Sequence, residues 1–214
     1  MPIFVIGQTP RVDLETEIRA AAPELHFSVH GALDGLARTE IDRLPPRDDS
    51  DALFTILPSG EKVIISKIAV AKRLVGILPD GPALLACTGT FKGLPSHRGL
   101  IQPSAVLNAL AAALLPAGRL GLFVPLAEQV ATLTAARSRP QVEVHAVPLQ
   151  PGSDDAARDA AAVVMADFAP DLVLLDCISY SRADKARIGK RVACPILLSI
   201  AVAVRVATSM MSEG

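Results

Sequence analysis

Apolar residues in this chain gather in short, nearly unbroken runs. Between the runs they recur at the three-to-four-residue spacing of an amphipathic helix. Ile3 to Ile6 is the first such run. Thr9-Pro10 then opens a helix reaching about Ala22, with the proline at a favoured first helical position. A second strand is expected from about Leu25 to His30. Ala52 to Leu57 and Lys62 to Ser66 flank Pro58-Ser59-Gly60-Glu61, which predicts a hairpin near 52–66. A helix from about Lys67 to Leu78 leads to a strand that ends at Cys87. A glycine-rich loop follows, and Pro103 starts a helix to about Leu115.

The pattern then begins again. Leu120 to Val124 reads as a strand, Leu126 to Ala136 as a helix and Gln141 to Val147 as a strand. Ser153, followed by Asp154 and Asp155, is expected to cap a helix to about Phe168. Leu172 to Cys177 is the next strand, Arg182 to Arg191 a helix and Ile196 to Leu198 a short strand before a final helix. The first half reads as the second plus an insertion between Asp34 and Gly60. This alternation predicts an α/β protein with parallel sheets covered on both faces. The expected divisions are a subdomain over 1–101, another over 102–198 and a C-terminal helix over 199–214 with the option of returning to the first.

Composition narrows the partners. Half of the 214 residues are apolar, 20% are charged and the mean hydropathy is +0.40, which excludes a disordered chain. With 21 basic against 22 acidic residues and 3% aromatics, the chain shows neither a basic footprint nor a stacking platform for nucleic acid. The apolar stretch from Val106 to Leu126 is broken by Asn108, Pro116, Arg119 and Pro125, so no membrane span is expected. The N-terminus reads as a strand and not as a signal peptide, and three cysteines make no disulfide framework. A cytoplasmic protein with reduced thiols is the expectation, binding a small anionic organic molecule. The Ala- and Leu-rich surface permits a homodimer.

Two of the predicted strands end alike, in Leu84-Leu85-Ala86-Cys87 and Leu174-Leu175-Asp176-Cys177. Carboxyl ends of parallel strands are where open α/β sheets bind ligands. Two thiols delivered there from similar halves suit removal of a proton from one face of a carbon and its return from the other. A single buried cysteine is more often plain packing, the reading adopted for Cys194, and it is the matched pair that favours chemistry at Cys87 and Cys177. Thr88, Gly89 and Thr90 follow the first thiol, and Ser179 and Tyr180 the second. They offer amides and hydroxyls for a carboxylate or an enolate oxygen. In Gly7-Gln8-Thr9-Pro10-Arg11 a cation in the first helical turn opposes the helix dipole. A bound anion held with Gln8 and Thr9 would explain it, and so would pairing with Asp13 or Glu15. Asp34 either faces the ligand or caps a turn. Asp176 could orient Cys177, although a bare carboxylate would raise the thiol pKa. Lys92, His97 and Arg98 suit either a mobile lid within 88–101 or a solvated loop. His26, His30 and His145 lack metal-ligand spacing, so no metal is expected, and the absence of a GxGxxG or Walker loop gives no sign of a nucleotide cofactor.

Gly7-Gln8-Thr9-Pro10-Arg11, Gly31-Ala32-Leu33-Asp34-Gly35-Leu36 and Leu175-Asp176-Cys177 resemble signatures of the AroM family, within the aspartate/glutamate racemase-like superfamily. The resemblance implies two pseudo-symmetric flavodoxin-like subdomains with parallel sheets facing across a cleft, and chemistry without a cofactor. It also implies one cysteine from each half beside the substrate α-carbon, at positions matching Cys87 and Cys177. The Asp-Ser-Gly turn of glutamate racemases is Gly7-Gln8-Thr9 here, and their Cys-Asn-Thr is Cys87-Thr88-Gly89-Thr90. The expected function is a racemase, epimerase or isomerase that moves a proton next to a carboxylate or carbonyl. The alternatives are a one-thiol decarboxylase or cis–trans isomerase, and a small-molecule-binding protein without turnover.

Overall fold

The apolar runs become parallel strands buried on both faces, which is why they lack polar alternation. The computed structural model describes residues 1–91, 93–94 and 99–211. These fall into two units, Met1–Ser104 with the chain from Ala203 onward, and Ala105–Val202.

The first unit contains β1 (Pro2–Val5), α1 (Val12–Ala21), β2 (Ser28–Gly31), a short α2 (Arg38–Ile41), β3 (Ala52–Ile56), β4 (Lys62–Ser66), α3 (Lys67–Val75), β5 (Ala83–Ala86) and β6 (Leu100–Ile101). Its parallel sheet has the order β2-β1-β5-β6, with Val5 beside Gly31 on one side and Ala86 on the other. β3 and β4 form the antiparallel hairpin, and Gly60 at φ +85° supplies the left-handed turn conformation it needs. Leu53, Leu57, Val63 and Ile65 carry the hairpin onto the unit's apolar core with Phe4, Ile6, Leu85 and Cys87.

The chain continues through α4 (Pro103–Leu114), β7 (Gly118–Val124), α5 (Val130–Arg137), β8 (Val142–Pro148), α6 (Asp155–Phe168), β9 (Leu172–Leu175), α7 (Arg182–Ile188), β10 (Ile196–Leu198) and α8 (Ser199–Met210). The second parallel sheet has the order β8-β7-β9-β10. Leu120, Leu122 and Val124 form one of its faces with Leu172 and Leu174. On the other face Gly121 lets α6 come so close that a Cβ there would strike the Met165 sulfur. Strand for strand, this order repeats that of the first unit.

Several boundaries differ from the sequence expectation. α1 starts at Val12, after a cis Thr9–Pro10 peptide, because Thr9 gives its amide and hydroxyl to Asp34 and is unavailable as a cap. α6 is capped by Asp154, which accepts from the Ala157 amide at 2.8 Å. Ser153 instead donates to the Gln150 carbonyl at 2.6 Å. The helix expected from Leu126 begins as a single 3-10 turn, Ala127–Gln129, before α5. α2 and β6, too short to leave a periodic signal, were absent from the expectation. Among the described residues no helix is long and apolar enough to cross a membrane.

Candidate functional site

In an open parallel sheet, ligands bind beyond the carboxyl ends of the strands, where the strand order reverses. In the first unit that point lies between β1 and β5. Gly7–Arg11 leaves the end of β1, and Cys87–Thr90 leaves the end of its neighbour β5.

The turn after β1 is held by the second signature segment. Gln8 Nε2 donates to the carbonyls of Leu33 at 3.2 Å and Leu36 at 2.7 Å. Asp34 accepts from Thr9 N at 2.7 Å, Thr9 Oγ1 at 3.0 Å and Gly31 N at 2.7 Å. A Cβ on Gly31 would collide with Asp34 and the Gly7 carbonyl, so this clasp requires glycine. Asp34 is therefore the pin between two turns, and Gln8 and Thr9 each have a role in the fold. Arg11 is 3% exposed and grips Asp13 as a fork, Nε to Oδ1 at 2.9 Å and Nη2 to Oδ2 at 2.7 Å. Burial pushes the Asp13 carboxyl up. The Arg11 hydrogen bond and charge, with the Leu14 amide, outweigh that and hold it below the ordinary value.

Cys87 is buried, and its sulfur accepts the Gly89 amide at 3.3 Å, an arrangement that favours a thiolate. Thr88 and Gly89 are half-buried and Thr90 is exposed. The hairpin lies against both turns. A Cβ on Gly89 would meet Leu53 Cδ2 at 3.1 Å, and one on Gly7 would strike Thr55 Oγ1. Thr55 is 1% exposed, and its hydroxyl has no hydrogen-bond partner among the described residues. Neither Leu53 nor Thr55 was singled out from the sequence, since an apolar and a β-branched residue in a strand carry no signal of their own. Lys92, His97 and Arg98 lie outside the described residues.

In the second unit, Cys177 follows β9, the counterpart of β5. The Asp176 amide extends the ladder by one bond, to the Phe123 carbonyl at 2.9 Å, and Cys177 lies just past it. The Asp176 carboxylate receives Arg137 Nε at 3.1 Å and Nη2 at 2.7 Å, with both side chains buried, and Arg137 also donates to Asn108. The charge beside Cys177 is thus one half of an ion pair. No sequence signal singles out Arg137, because its partner is distant along the chain. Ser179 is half-buried. Tyr180 is buried and donates its hydroxyl to the Leu149 carbonyl. Burial, followed by the charges at Cys177, Asp184 and Asp176, raises its pKa well above 10.0, so it stays a phenol. Among the described residues no group of acidic, His or Cys side chains is arranged to hold a metal ion.

The family model described as AroM protein matches residues 1–211. This chain belongs to the AroM family. No curated protein matches it in sequence. Among solved structures it is similar to glutamate racemase isoform RacE1 from Bacillus anthracis, with TM-score 0.64 and 12% identity over 98% of this chain and 80% of that one. It is also similar to allantoin racemase from Pseudomonas fluorescens, with TM-score 0.58 and 16% identity over 98% and 90%. Unliganded arylmalonate decarboxylase gives TM-score 0.57 and 13% identity over 100% and 92%. At these identities the likeness shows the fold. This AroM member has the aspartate/glutamate racemase-like fold, α/β with a parallel sheet in each half.

Proposed function

We propose that this protein is a cofactor-independent racemase- or isomerase-type enzyme. In this reading Cys87 and Cys177 move a proton at a carbon next to a carboxylate or carbonyl of a small anionic substrate. The observation that carries it is the equivalence of the two thiols, each following the third strand of a repeated four-stranded parallel sheet. One cysteine as thiolate takes the proton from carbon, and the electron pair is delocalised onto the neighbouring oxygen as an enolate. The other cysteine, as thiol, gives its proton to the opposite face, and solvent exchange restores the starting state. An unperturbed thiol has a pKa of roughly 8.5, so the base needs stabilisation. The Gly89 amide on Cys87 is a source of it. Amides and hydroxyls of Thr88, Gly89, Thr90 and Ser179 are the proposed donors to substrate oxygens.

The test is deuterium incorporation from heavy water at the α-carbon of a panel of small carboxylates and ureides. The panel starts from both enantiomers of glutamate and of allantoin, the compounds named with the similar structures. Exchange in the native protein, with interconversion of the enantiomers lost in Cys87→Ser and in Cys177→Ser and all exchange lost in the double variant, is the expected result. Undiminished exchange in the double variant would remove the mechanism. A one-thiol decarboxylation is favoured by one specific asymmetry: an apolar wall and an amide surround Cys87, whereas a buried ion pair adjoins Cys177. It predicts carbon dioxide release from a disubstituted malonate that depends on only one of the two cysteines.

A further inference from the structure

Several arginines of this protein are matched with a carboxylate. Arg11 pairs with Asp13, Arg19 with Glu15, Arg38 with Asp42 and Glu61, Arg119 with Glu143, and Arg137 with Asp176. Arg158 and Arg187 share Asp155 and reach Asp184 and Asp159. A cluster of cations in the first unit is not matched in this way. A groove of about 570 Å³ between the 36–47 segment and the start of α3 is lined by Arg43, Arg47, Lys72 and Arg73. None of the four makes an ion pair with a described residue. Arg73 bonds only to carbonyls, those of Ala32 and of Asp34.

The carboxylates nearby are engaged elsewhere. Glu40, the single acidic lining residue, accepts the Ala37 amide at 2.7 Å as part of a helix cap. Asp51 lies in the electrostatic range of Arg47, but its oxygens are occupied by the Ser66 hydroxyl and the amides of Ile68 and Arg47. The Ile68 and Ala69 amides at the start of α3 are taken by Asp51 and the Ser66 hydroxyl, so the groove's attraction for anions is assigned to side chains. Four cations face one committed carboxylate in a chain whose net charge is −1. Between them the groove is apolar, floored by Leu36, Leu44 and Ile68, the last 41% exposed.

Like charges gathered beside exposed apolar surface repel one another and are costly to hold together without a counter-ion. Guanidinium forks match phosphate oxygens two at a time, and an ammonium adds a point charge. We propose that this groove binds a small organic phosphate. Its phosphoryl oxygens lie on Arg43, Arg47 and Lys72, and its apolar part rests on Leu36, Leu44 and Ile68. The site shares no residue with the thiol chemistry, so it stands or falls independently of the proposed enzymatic function.

The test is calorimetric titration of the full chain at near-physiological ionic strength, where diffuse surface charge is screened beyond roughly 8 Å. The probe is phenyl phosphate, compared with inorganic phosphate and benzoate. The expected result is saturable binding of one phenyl phosphate, at least about tenfold tighter than either comparator, because each lacks one half of the recognised group. Arg43→Gln with Lys72→Gln should weaken it at least about tenfold with an unchanged melting temperature, while Arg119→Gln leaves it unaltered. Both altered side chains are exposed, and if the double variant melts early the single variants give the same reading. The proposal is overturned by absence of saturable binding, by binding indifferent to Arg43 and Lys72, or by benzoate binding as tightly as the phosphate.

Discussion

Tyr180 is the single tyrosine of a chain without tryptophan, so its phenol can be followed alone. Its pKa is raised well above 10.0 in the fold, whereas an unfolded phenol titrates near about 10. The stabilising difference is complete below about pH 10 and is lost as pH rises toward the folded value. Phenolate absorbance should therefore appear late in the native protein and near about pH 10 in denaturant. Thr55 makes a second residue-scale prediction. A buried hydroxyl without a partner costs about 1–3 kcal/mol, and valine keeps its shape. Thr55→Val should hold or raise the melting temperature, and a clear fall would show that the hydroxyl is bonded in solution. What was legible at this scale followed distance along the chain. Asp13, as a partner for Arg11, lies two residues away and was among the readings open from the sequence. Arg137 on Asp176 joins residues 39 apart, beyond any local pattern.

At the scale of elements, two buried carboxylates tie pieces of the fold together. Asp51 joins the hairpin to α3 by accepting the Ser66 hydroxyl at 2.7 Å and the Ile68 amide at 2.9 Å. Burial alone would push its carboxyl up, but these bonds, with the amide and charge of Arg47, hold it below the ordinary value. A depressed carboxyl stabilises the fold above its unfolded pKa of about 3.9, and that contribution is lost as pH falls through the folded value. Asp51→Asn should cost about 1–3 kcal/mol at neutral pH in chemical denaturation, with the gap from the parent narrowing below about pH 4. Asp176 joins β9 to α5 through Arg137, and Arg137 joins α4 through Asn108. Arg137→Met strands the buried carboxylate without its cation, at a cost of about 3–5 kcal/mol, and adding Asp176→Leu should recover most of it. Most helices and strands were readable because buried parallel strands and amphipathic helices leave different periods in the sequence. Their ends were less so. Ser153 and Asp154 are equally good caps on paper, and only the Gln150 carbonyl taken by the serine decides between them.

At the scale of the whole chain the repeat is the dominant fact. β1, β2, β5 and β6 recur in the same spatial order as β7, β8, β9 and β10, and a cysteine follows the third member each time. The paired Leu-Leu runs made this visible in the sequence, while the 34–60 insertion partly hid it. Equivalent thiols that serve one carbon have a consequence a single base lacks. Each would remove the proton of only one enantiomer. Cys87→Ser and Cys177→Ser should then each abolish interconversion in both directions, yet each should still wash deuterium into one enantiomer with retention of configuration. The enantiomer that exchanges should be opposite in the two variants. Chiral separation followed by mass measurement of the recovered substrate reads both quantities in one experiment. If one variant exchanges both enantiomers and the other neither, a single thiol does all the deprotonation, and the repeat is a relic of the fold with no part in the chemistry.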